Sequence, residues 1–193
     1  MKSFDRIYEA AAGNFDAMKS FDRIYEAAAG NFGLVTAKQS RELGVSSREL
    51  SRWVTIGRLE RSGRGVYRIS TYPSSQFDPF AVAVESVGAD AYLYGESVLG
   101  MLGLTATNPT WIYVATARRV RKLLSDGLRV CRVVGTDVPT CYEGIRSQRV
   151  ANAIIACRKS MRMDRLLEAL ANGVAQGYVG KDEAKRVRKE LSK

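Results

Sequence analysis

The alternation of apolar and polar positions is clearest between Gly33 and Ile69, where it predicts two short helices followed by a hairpin. Thr36 precedes a helical run that ends at Leu43, and a threonine at that place can cap the first turn. Gly44 follows at the position where many helices end on a left-handed residue, a conformation that glycine adopts without strain. The first helix is therefore expected to end in a tight turn.

The second predicted helix starts after Ser46 and ends at Gly57. Glu49 stands three residues after Ser46, so the two side chains can form a reciprocal capping box. One face of this helix is apolar and is expected to point inward; it consists of Leu50, Trp53 and Val54. The opposite face carries hydroxyl and guanidinium groups, which can reach phosphates and base edges in a DNA major groove; it consists of Ser47, Arg48, Ser51, Arg52 and Thr55.

A basic hairpin is predicted directly after this helix. The segments Leu59–Ser62 and Val66–Ile69 have strand-like composition, and Gly63-Arg64-Gly65 joins them. The glycines permit the backbone angles of a tight tip and let the tip approach another surface closely. The hairpin is cationic through Arg61, Arg64 and Arg68. Because an arginine at such a tip can enter a minor groove or bind a phosphate, the hairpin is predicted to be the wing of a winged helix-turn-helix.

These elements define a set of candidate DNA contacts. Lys38 and Arg41 are expected near the phosphates, on the first helix of the pair. The second helix is expected in or beside the major groove, with contacts from Ser47, Arg48, Ser51 and Arg52. The wing is expected to act through Arg61, Arg64 and Arg68. The alternative is a helical hairpin with a solvated basic turn and no DNA ligand, since helix-turn-helix pairs also make protein contacts.

Charge favours the nucleic-acid interpretation. From Gly33 to Ser70 the chain has eight basic and three acidic residues, a net charge of +5, and the whole chain carries +10. Half of the excess therefore lies in about a fifth of the length. Concentrated positive charge produces the salt-dependent, sequence-independent part of DNA affinity. A basic chain is also compatible with RNA or with an acidic membrane surface.

The residue content argues against an enzyme. The chain has no histidine, which removes the commonest general base and the commonest metal ligand. Ser97 follows Gly95-Glu96 as in a nucleophile elbow, but Leu99 stands where that motif requires glycine. The sequence also lacks a glycine-rich phosphate-binding loop of the Lys-Ser/Thr type. No catalytic residue, cofactor or metal site is therefore predicted.

The cysteines and the apolar runs bear on the compartment. Cys131, Cys141 and Cys157 are odd in number and widely spaced, so neither a disulfide framework nor a zinc site is indicated. The longest apolar runs fall short of the ~20 residues that a membrane span needs, and no signal-peptide pattern is visible. We therefore expect a cytoplasmic protein with reduced thiols and no membrane partner.

An unchanged repeat occupies the N-terminus. Residues Met1–Phe15, MKSFDRIYEAAAGNF, recur as Met18–Phe32 with Asp16-Ala17 between them. Each copy predicts an amphipathic helix, with one apolar stripe of Phe4, Ile7, Tyr8 and Ala11 and a matching stripe of Phe21, Ile24, Tyr25 and Ala28. The second copy is expected to supply the helix that precedes the helix-turn-helix pair. Residues 1–17 are then a spare copy from a duplication, an artefact or a misassigned start, with Met18 as the natural beginning; alternatively, the spare helix docks on a neighbouring chain.

The remainder predicts a mixed α/β domain over residues 77–193, after a polar hinge at Thr71–Gln76. Helices are predicted from an Asp78-Pro79 N-cap and N1 pair to about Ser86, then at Gly95–Leu102, Gln148–Cys157, Met163–Gln176 and Lys181–Leu191. Strands are predicted at Thr110–Ala115, at Leu128–Val134 and near Tyr142–Arg146. A basic cluster between the first two strands is either a solvated edge or an additional part of the DNA-binding face; it consists of Arg118, Arg119, Arg121 and Lys122. The predicted fold class is α+β, with a winged helix-turn-helix over residues 18–70 followed by this mixed domain.

A family resemblance rests on the same residues. Gly33–Thr36, Leu43-Gly44, the helix capped by Ser46 and the segment Gly63–Tyr67 resemble the N-terminal domain of the AbiEi family, antitoxins of type IV toxin–antitoxin systems. Three later segments are similar to the family's C-terminal domain: Tyr92–Ser97, Leu102–Leu104 and Trp111–Val114. The resemblance spans roughly residues 18–191. Many members carry a Thr/Ser-Pro-Glu-Arg segment with an acidic residue after it, of which Ser147-Gln148-Arg149 keeps a part, and Ala153 stands about where the acid would be.

The resemblance implies a protein with two tasks. Its winged-helix domain would bind double-stranded DNA at inverted repeats in its own operator and repress the operon. Its C-terminal domain would oppose a nucleotidyltransferase-type toxin without forming a stable complex with it. Two other hypotheses stay open: a repressor of the same build with no toxin partner, and a protein-interaction module whose basic face meets an acidic partner. The oligomeric state is not predicted.

Overall fold

The computed structural model describes residues 19–107, 110–121, 124–133 and 138–193. The chain divides into two compact units, Met1–Gln76 and Phe77–Lys193. Three sequence predictions concern residues outside the described ranges: the spare copy at residues 1–17, Lys122 of the second basic cluster, and Val134 at the end of a strand. The fold is α+β, as predicted, with the helix-turn-helix and wing in the first unit and a mixed sheet in the second.

The first unit opens on helix α1, which comprises residues 19–29. Ile24 and Ala28 have no exposed surface, and Phe21 packs at the edge of the same core. Tyr25, predicted to belong to this apolar stripe, is instead 47% exposed. It follows Ile24 by one residue and so projects about 100° away from it around the helix.

A short strand precedes the helix-turn-helix pair, and the sequence pattern did not predict it. Strand β1 (Leu34–Thr36) leads directly into helix α2 (Ala37–Glu42). Thr36 caps α2: its hydroxyl oxygen accepts from the backbone N–H of Gln39 at 3.2 Å, and the Gln39 side-chain oxygen accepts from the N–H of Thr36 at 2.8 Å. This capping box ties the end of the strand to the start of the helix.

The turn and the second helix of the pair follow the prediction. Gly44 has a φ of +76°, the left-handed conformation expected after the first helix, and its N–H donates to the Arg41 carbonyl at 3.0 Å. Helix α3 (Ser47–Thr55) then begins after its N-cap, Ser46. Leu50 and Trp53 on its inner face are 1% and 2% exposed. The apolar face of α3 therefore closes the core, as its spacing predicts.

The wing consists of strands β2 (Leu59–Gly63) and β3 (Val66–Ile69). With β1 they form a three-stranded antiparallel sheet in the order β1-β3-β2. Strand β2 runs one residue further than predicted, because the β2–β3 ladder shifts its register between Arg61 and Gly63. The core of the unit is a single cluster from α1, the turn before α3, α3 and the three strands: Ile24, Ala28, Val35, Val45, Leu50, Trp53, Leu59, Tyr67 and Ile69.

The second unit begins with helix α4 (Asp78–Val87), one residue earlier than predicted. Its N-cap is Phe77, which makes no side-chain capping bond, so the prediction of Asp78 as N-cap and Pro79 as first helical residue was wrong by one position. The shift costs little, because a proline is tolerated anywhere in the first turn and the Asp78 carboxylate is favourable beside the helix N-terminus.

Five strands form the mixed sheet of this unit, in the order β6-β5-β4-β8-β7. They are β4 (Tyr92–Leu93), β5 (Ile112–Thr116), β6 (Leu128–Arg132), β7 (Thr140–Tyr142) and β8 (Ile145–Ser147). The β5–β6 and β4–β8 pairs are parallel, and the other two are antiparallel. The prediction of one strand near Tyr142–Arg146 was wrong, because Glu143 and Gly144 adopt positive φ and form the turn of the β7–β8 hairpin.

Four further helices follow: α5 (Glu96–Met101), α6 (Val150–Ala156), α7 (Met163–Ala175) and α8 (Lys181–Leu191). Helix α6 packs against the other three and continues into a short 3-10 turn, Cys157–Lys159. It begins two residues later than predicted because Gln148 is held against β4. The backbone N–H of Gln148 donates to the Leu93 carbonyl, and its side-chain oxygen accepts from the N–H of Gly95 at 3.0 Å.

Across the described ranges, none of the helices combines the length and the apolar character needed to cross a lipid bilayer.

Candidate nucleic-acid interface

The N-terminus of α3 is fixed by the predicted capping box. The Ser46 hydroxyl oxygen accepts from the N–H of Glu49 at 3.2 Å, and the Glu49 carboxylate accepts from the N–H of Ser46 at 2.9 Å. The same carboxylate also accepts from the Ser46 hydroxyl at 2.8 Å. Because both partners are local, the start of α3 is determined by four consecutive residues and holds the first exposed turn in a defined orientation.

The outer face of α3 is exposed and unpaired in its charged positions. Arg48 and Arg52 project into solvent, and neither has an ion pair or hydrogen bond among the described residues. Two hydroxyl groups on the same face bond to the helix itself: Ser51 donates to the Ser47 carbonyl and Thr55 donates to the Ser51 carbonyl, both at 3.0 Å. Each hydroxyl oxygen keeps the capacity to accept a hydrogen bond. This face can therefore offer two guanidinium donors and a row of acceptors to an anionic, donor-bearing ligand.

Aromatic packing holds α3 from behind. The Phe21 and Trp53 rings meet edge to face, with centroids 5.2 Å apart and an interplanar angle of 78°. The Arg58 guanidinium lies over the Phe21 ring, 5.0 Å from its centroid. Helix α1 is thus connected to the inner face of α3 by an edge-to-face aromatic pair with a guanidinium over one of its rings, and these contacts restrict rotation of the exposed face.

The tip of the wing is tied to the helix-turn-helix. Gly65 has a φ of +74°, and its carbonyl accepts from the N–H of Ala37, the first residue of α2, at 2.8 Å. Of the two glycines predicted to serve the tip, Gly65 takes the left-handed conformation, whereas Gly63 is part of β2. Arg64 is exposed beside this anchor and has no partner among the described residues. The wing therefore presents its tip arginine from a backbone that is bonded to α2.

Two of the three predicted wing arginines, Arg61 and Arg68, lie on strands and fall on opposite faces of the sheet. Arg61 pairs across the ladder with Tyr67, a core residue, and Arg68 pairs with Glu60 on the reverse face. The Arg61 guanidinium lies 5.8 Å from the Tyr67 ring centroid and 3.4 Å from its hydroxyl oxygen. Arg61 is exposed on the side of the sheet that faces the helices. Side-chain alternation thus separates it from Arg68.

Arg68 is partly buried and is used within the unit. Its guanidinium donates to the carbonyl oxygens of Pro73 at 2.8 Å and Tyr72 at 3.3 Å. These bonds hold the segment after β3 against the sheet. Two of its donors are therefore already satisfied by the protein, unlike those of Arg64.

The two predicted phosphate contacts of α2 are both exposed. Lys38 forms an ion pair with Glu42, one helical turn away, with the nitrogen and oxygen 3.7 Å apart. Arg41 donates from Nε to the carbonyl of Ala37 at 3.3 Å, which leaves its terminal nitrogens outside that bond. Of the two, Arg41 has the less compensated charge.

The described arginines of the second basic cluster, Arg118, Arg119 and Arg121, lie in an irregular connection after β5. Arg118 pairs with Asp90 at 3.3 Å, and the Thr116 hydroxyl donates to the same carboxylate at 2.9 Å. Arg119 and Arg121 are exposed and have no partner within the described ranges. One cation of the cluster is thus used to close the end of β5, and two extend into solvent.

Other chemistry-bearing groups of the second unit have structural environments. Ser97, the serine of the elbow-like motif, is fully buried and accepts from the N–H of Tyr113 at 2.8 Å. Burial, reinforced by the charge of Glu96, raises the pKa of the Cys157 thiol to about 12, so this cysteine stays a neutral core residue. Within the residues that the structure describes, no three cysteine, aspartate or glutamate side chains are grouped so as to hold a metal ion.

Sequence reasoning overlooked three contacts that shape this surface. The Thr36–Gln39 box was readable as a Thr-x-x-Gln pattern of the same kind as Ser46–Glu49. The Arg58–Phe21 contact and the Ala37–Gly65 bond join residues far apart in the chain. They depend on the packed fold, so no local pattern could have predicted them.

Comparison with known proteins bears on the segment that carries these features. Residues 22–70 match the model of a family described as a transcriptional regulator, the AbiEi antitoxin. The match runs from α1 to the end of β3, about a quarter of the chain, and confirms the predicted resemblance over this segment. No curated protein matches the chain.

Proposed function

We propose that the chain is a transcriptional regulator that binds double-stranded DNA through the outer face of α3 and the wing, and that it acts as an antitoxin. The observation that carries the proposal is the set of exposed arginines without protein partners at these two places: Arg48, Arg52 and Arg64. An arginine that forms no internal ion pair costs little to transfer onto a phosphate or a guanine edge. The family match over residues 22–70 supports the regulatory assignment.

In the proposed complex, α3 lies in or beside the major groove. Arg48 and Arg52 bind base edges or flanking phosphates, and Ser47 and Ser51 accept hydrogen bonds from base amino groups. Arg41 and Lys38 contact the backbone next to the groove, with Lys38 exchanging its partner Glu42 for a phosphate. The capping box at Ser46 sets the depth of entry, because it fixes the turn that carries the first contacts.

The wing contributes on one side of α3. Arg64 enters the neighbouring minor groove or binds its phosphates, and Arg61 contacts the backbone from the face shared with Tyr67. Arg68 is expected to contribute least of the predicted contacts, since it already bonds to Pro73 and Tyr72. Arg119 and Arg121 of the second unit are candidates for further phosphate contacts.

The finer part of the proposal concerns the operon. The chain would bind inverted repeats in its own operator, repress its own synthesis together with that of an adjacent toxin, and counter that toxin without a stable complex. The toxin would be of the nucleotidyltransferase type. The AbiEi match supports an antitoxin in general, and the C-terminal unit would carry the opposition to the toxin.

A salt-dependent gel-shift titration tests the DNA-binding core of this proposal. The full chain is titrated against its own upstream promoter and against scrambled DNA of equal length, with Arg188→Ala as a charge-matched control on the exposed surface of α8. We expect a preference for the promoter that persists at ~150 mM salt, and an unchanged affinity of the control. Equal, salt-labile binding to both DNAs would reduce the interface to a basic surface and remove specific repression.

Co-expression with the product of the neighbouring gene tests the antitoxin half separately. If that product arrests growth and the chain relieves the arrest, the antitoxin role holds. Relief that persists in a variant unable to bind the promoter would place the activity outside transcription. Failure to relieve the arrest, with promoter binding intact, would leave a repressor without a toxin partner.

A further inference from the structure

Helix α1 is seated by side chains that recur elsewhere in the chain. Ile24 and Ala28 have no exposed surface within the core cluster, and Phe21 packs edge-on against Trp53. Each of the three has an identical counterpart 17 positions earlier, namely Phe4, Ile7 and Ala11, within the unchanged repeat Met1–Phe15. The rest of that cluster forms the seat of α1, and two segments of the sequence carry the side chains that fill it.

We propose that this seat accepts either copy, so that Met1–Phe15 can replace Met18–Phe32 as the first helix of the winged-helix unit of the same chain. In this proposal the first copy forms the first helix of the unit when the second copy cannot be buried in the seat.

Two contacts that the rest of the unit makes with the second copy can be reproduced by the first copy. The Tyr72 hydroxyl donates to the Ala29 carbonyl at 2.8 Å, and Arg58 lies over the Phe21 ring. Both partners are a backbone carbonyl or a phenyl ring that the repeat duplicates, at Ala12 and Phe4. Three bonds join the second copy to the residues that follow it: the N–H of Gly33 donates to the Ala28 carbonyl at 3.0 Å, the N–H of Leu34 donates to the Asn31 carbonyl at 2.7 Å, and the Asn31 side chain donates to the Leu34 carbonyl at 3.4 Å. The first copy would form the equivalents of these bonds only if its own connection allowed them.

The connection decides which copy holds the seat. When the first copy is seated, Asp16–Phe32 becomes a loop of 17 residues that returns to Gly33. Ala29 and Gly30 are exposed in the structure, so the chain can leave the seat at the corresponding point, Gly13. Loop-closure entropy grows only slowly with loop length, so the exchange is disfavoured without being prevented. The second copy, which is continuous with β1, therefore occupies the seat of the unaltered chain.

Symmetric substitutions in the full chain test the exchange. Ile24→Asp buries a carboxylate in the second copy, Ile7→Asp does so in the first, and a third variant carries both. A Trp111→Phe background leaves Trp53, which lies beside the seat, as the reporter of thermal unfolding. Ala27→Asp, at an exposed position of α1, is the matched control for a new charge on the helix.

We expect Ile7→Asp and Ala27→Asp to leave the unfolding midpoint unchanged, and Ile24→Asp to lower it by only a few degrees. The double variant should lower it by roughly 10 °C or more, or abolish the transition, because neither copy can then be buried without an unpaired charge. If Ile24→Asp alone loses the transition as fully as the double variant, the first copy does not substitute and the proposal fails. Rescue found only in a dimer by sedimentation would also overturn exchange within one chain.

Discussion

The two units of this protein carry similar excesses of positive charge and use them differently. Residues 77–193 contain 18 basic and 12 acidic residues, a net charge of +6, and residues 1–76 contain 12 basic and 8 acidic residues, a net charge of +4. In the second unit many of these charges are paired. On α7 and α8 the partners stand three residues apart, as in Arg165–Glu168, Lys185–Asp182 and Arg186–Glu183.

The outer face of α3 and the tip of the wing show the opposite arrangement. Arg48, Arg52 and Arg64 are exposed without a partner among the described residues. A surface ion pair adds little to stability, but it cancels much of the local field that an anionic ligand would feel. The comparison therefore teaches that pairing, more than net charge, distinguishes a candidate DNA-binding face from an ordinary solvated surface.

The largest effect is expected from a substitution that removes core packing from the first unit and leaves the second unit intact. Trp53→Ala deletes a side chain that is 2% exposed and that contacts Phe21, which should cost about 3–5 kcal/mol. We expect the first unit to unfold in urea before the second, with loss of promoter binding. The matched control is Leu99→Ala, which removes a fully buried side chain from the second unit and should leave DNA affinity unchanged. Promoter binding that survives Trp53→Ala would contradict the assignment of DNA binding to this unit.

The next largest effect is a loss of DNA affinity when Arg52 on α3 is removed, compared with removal of Arg188 on α8. Arg52→Ala should weaken binding to the promoter by about 1–3 kcal/mol if the guanidinium binds a base edge. If Arg52 binds phosphate alone, affinity should fall equally on promoter and scrambled DNA. Arg188→Ala on α8 changes the net charge by the same amount and should change neither. Similar losses from both substitutions would show that total charge, and not the α3 face, governs binding.

Local signals account for the elements that the sequence predicted well. The start of α3 is defined by residues 46–49, in which Ser46 and Glu49 cap each other. Gly44 adopts the left-handed conformation because it has no side chain. The apolar spacing of Leu50 and Trp53 then determined which face is buried. Because the helical period fixes the outer face once the inner face is known, the sequence alone placed the candidate residues of α3 on the exposed side.

The features that the sequence did not predict depend on partners distant in the chain. Strand β1 is three residues long and is defined by its pairing with β3. The reverse-face position of Arg68 follows from the ladder register and from the carbonyl of Pro73. In the second unit, Gln148 is extended because it bonds to Leu93 and Gly95. DNA contact by the candidate residues stays a prediction.

A smaller effect separates the tip of the wing from its reverse face. Arg64→Ala should weaken binding most on operators with A·T-rich flanks, where the narrow minor groove attracts an inserted arginine. Arg68→Ala should leave that flank preference intact, because Arg68 lies on the reverse face and bonds to Pro73; its effect should appear as a small loss of stability instead. Titrations on operators that differ only in their flanks measure both. If Arg68→Ala abolished the flank preference and Arg64→Ala did not, the minor-groove contact would belong to Arg68 on the reverse face and not to Arg64 at the tip.

The smallest effect tests whether the paired charges of the second unit stabilise its fold. The Thr105 hydroxyl, and then Arg165, hold the pKa of Glu168 below its ordinary value of 4.5 by hydrogen bonding to the carboxylate. A carboxyl group with a lowered folded-state pKa stabilises the fold above its unfolded pKa, and that contribution is lost as the pH falls through the folded pKa.

Glu168→Gln should therefore lower the free energy of unfolding of the second unit near neutral pH and converge with the parent in acid. Urea unfolding from about pH 3 to about pH 7 measures the difference. Glu143→Gln, at an exposed carboxylate in the β7–β8 turn without a partner among the described residues, serves as control and should run parallel to the parent. A gap between Glu168→Gln and the parent that widens towards acid would reverse the sign and remove this pairing as a stabilising contact. A gap that narrows towards acid would mean that these charges of the second unit are bound to each other, whereas Arg48, Arg52 and Arg64 have no partner among the described residues.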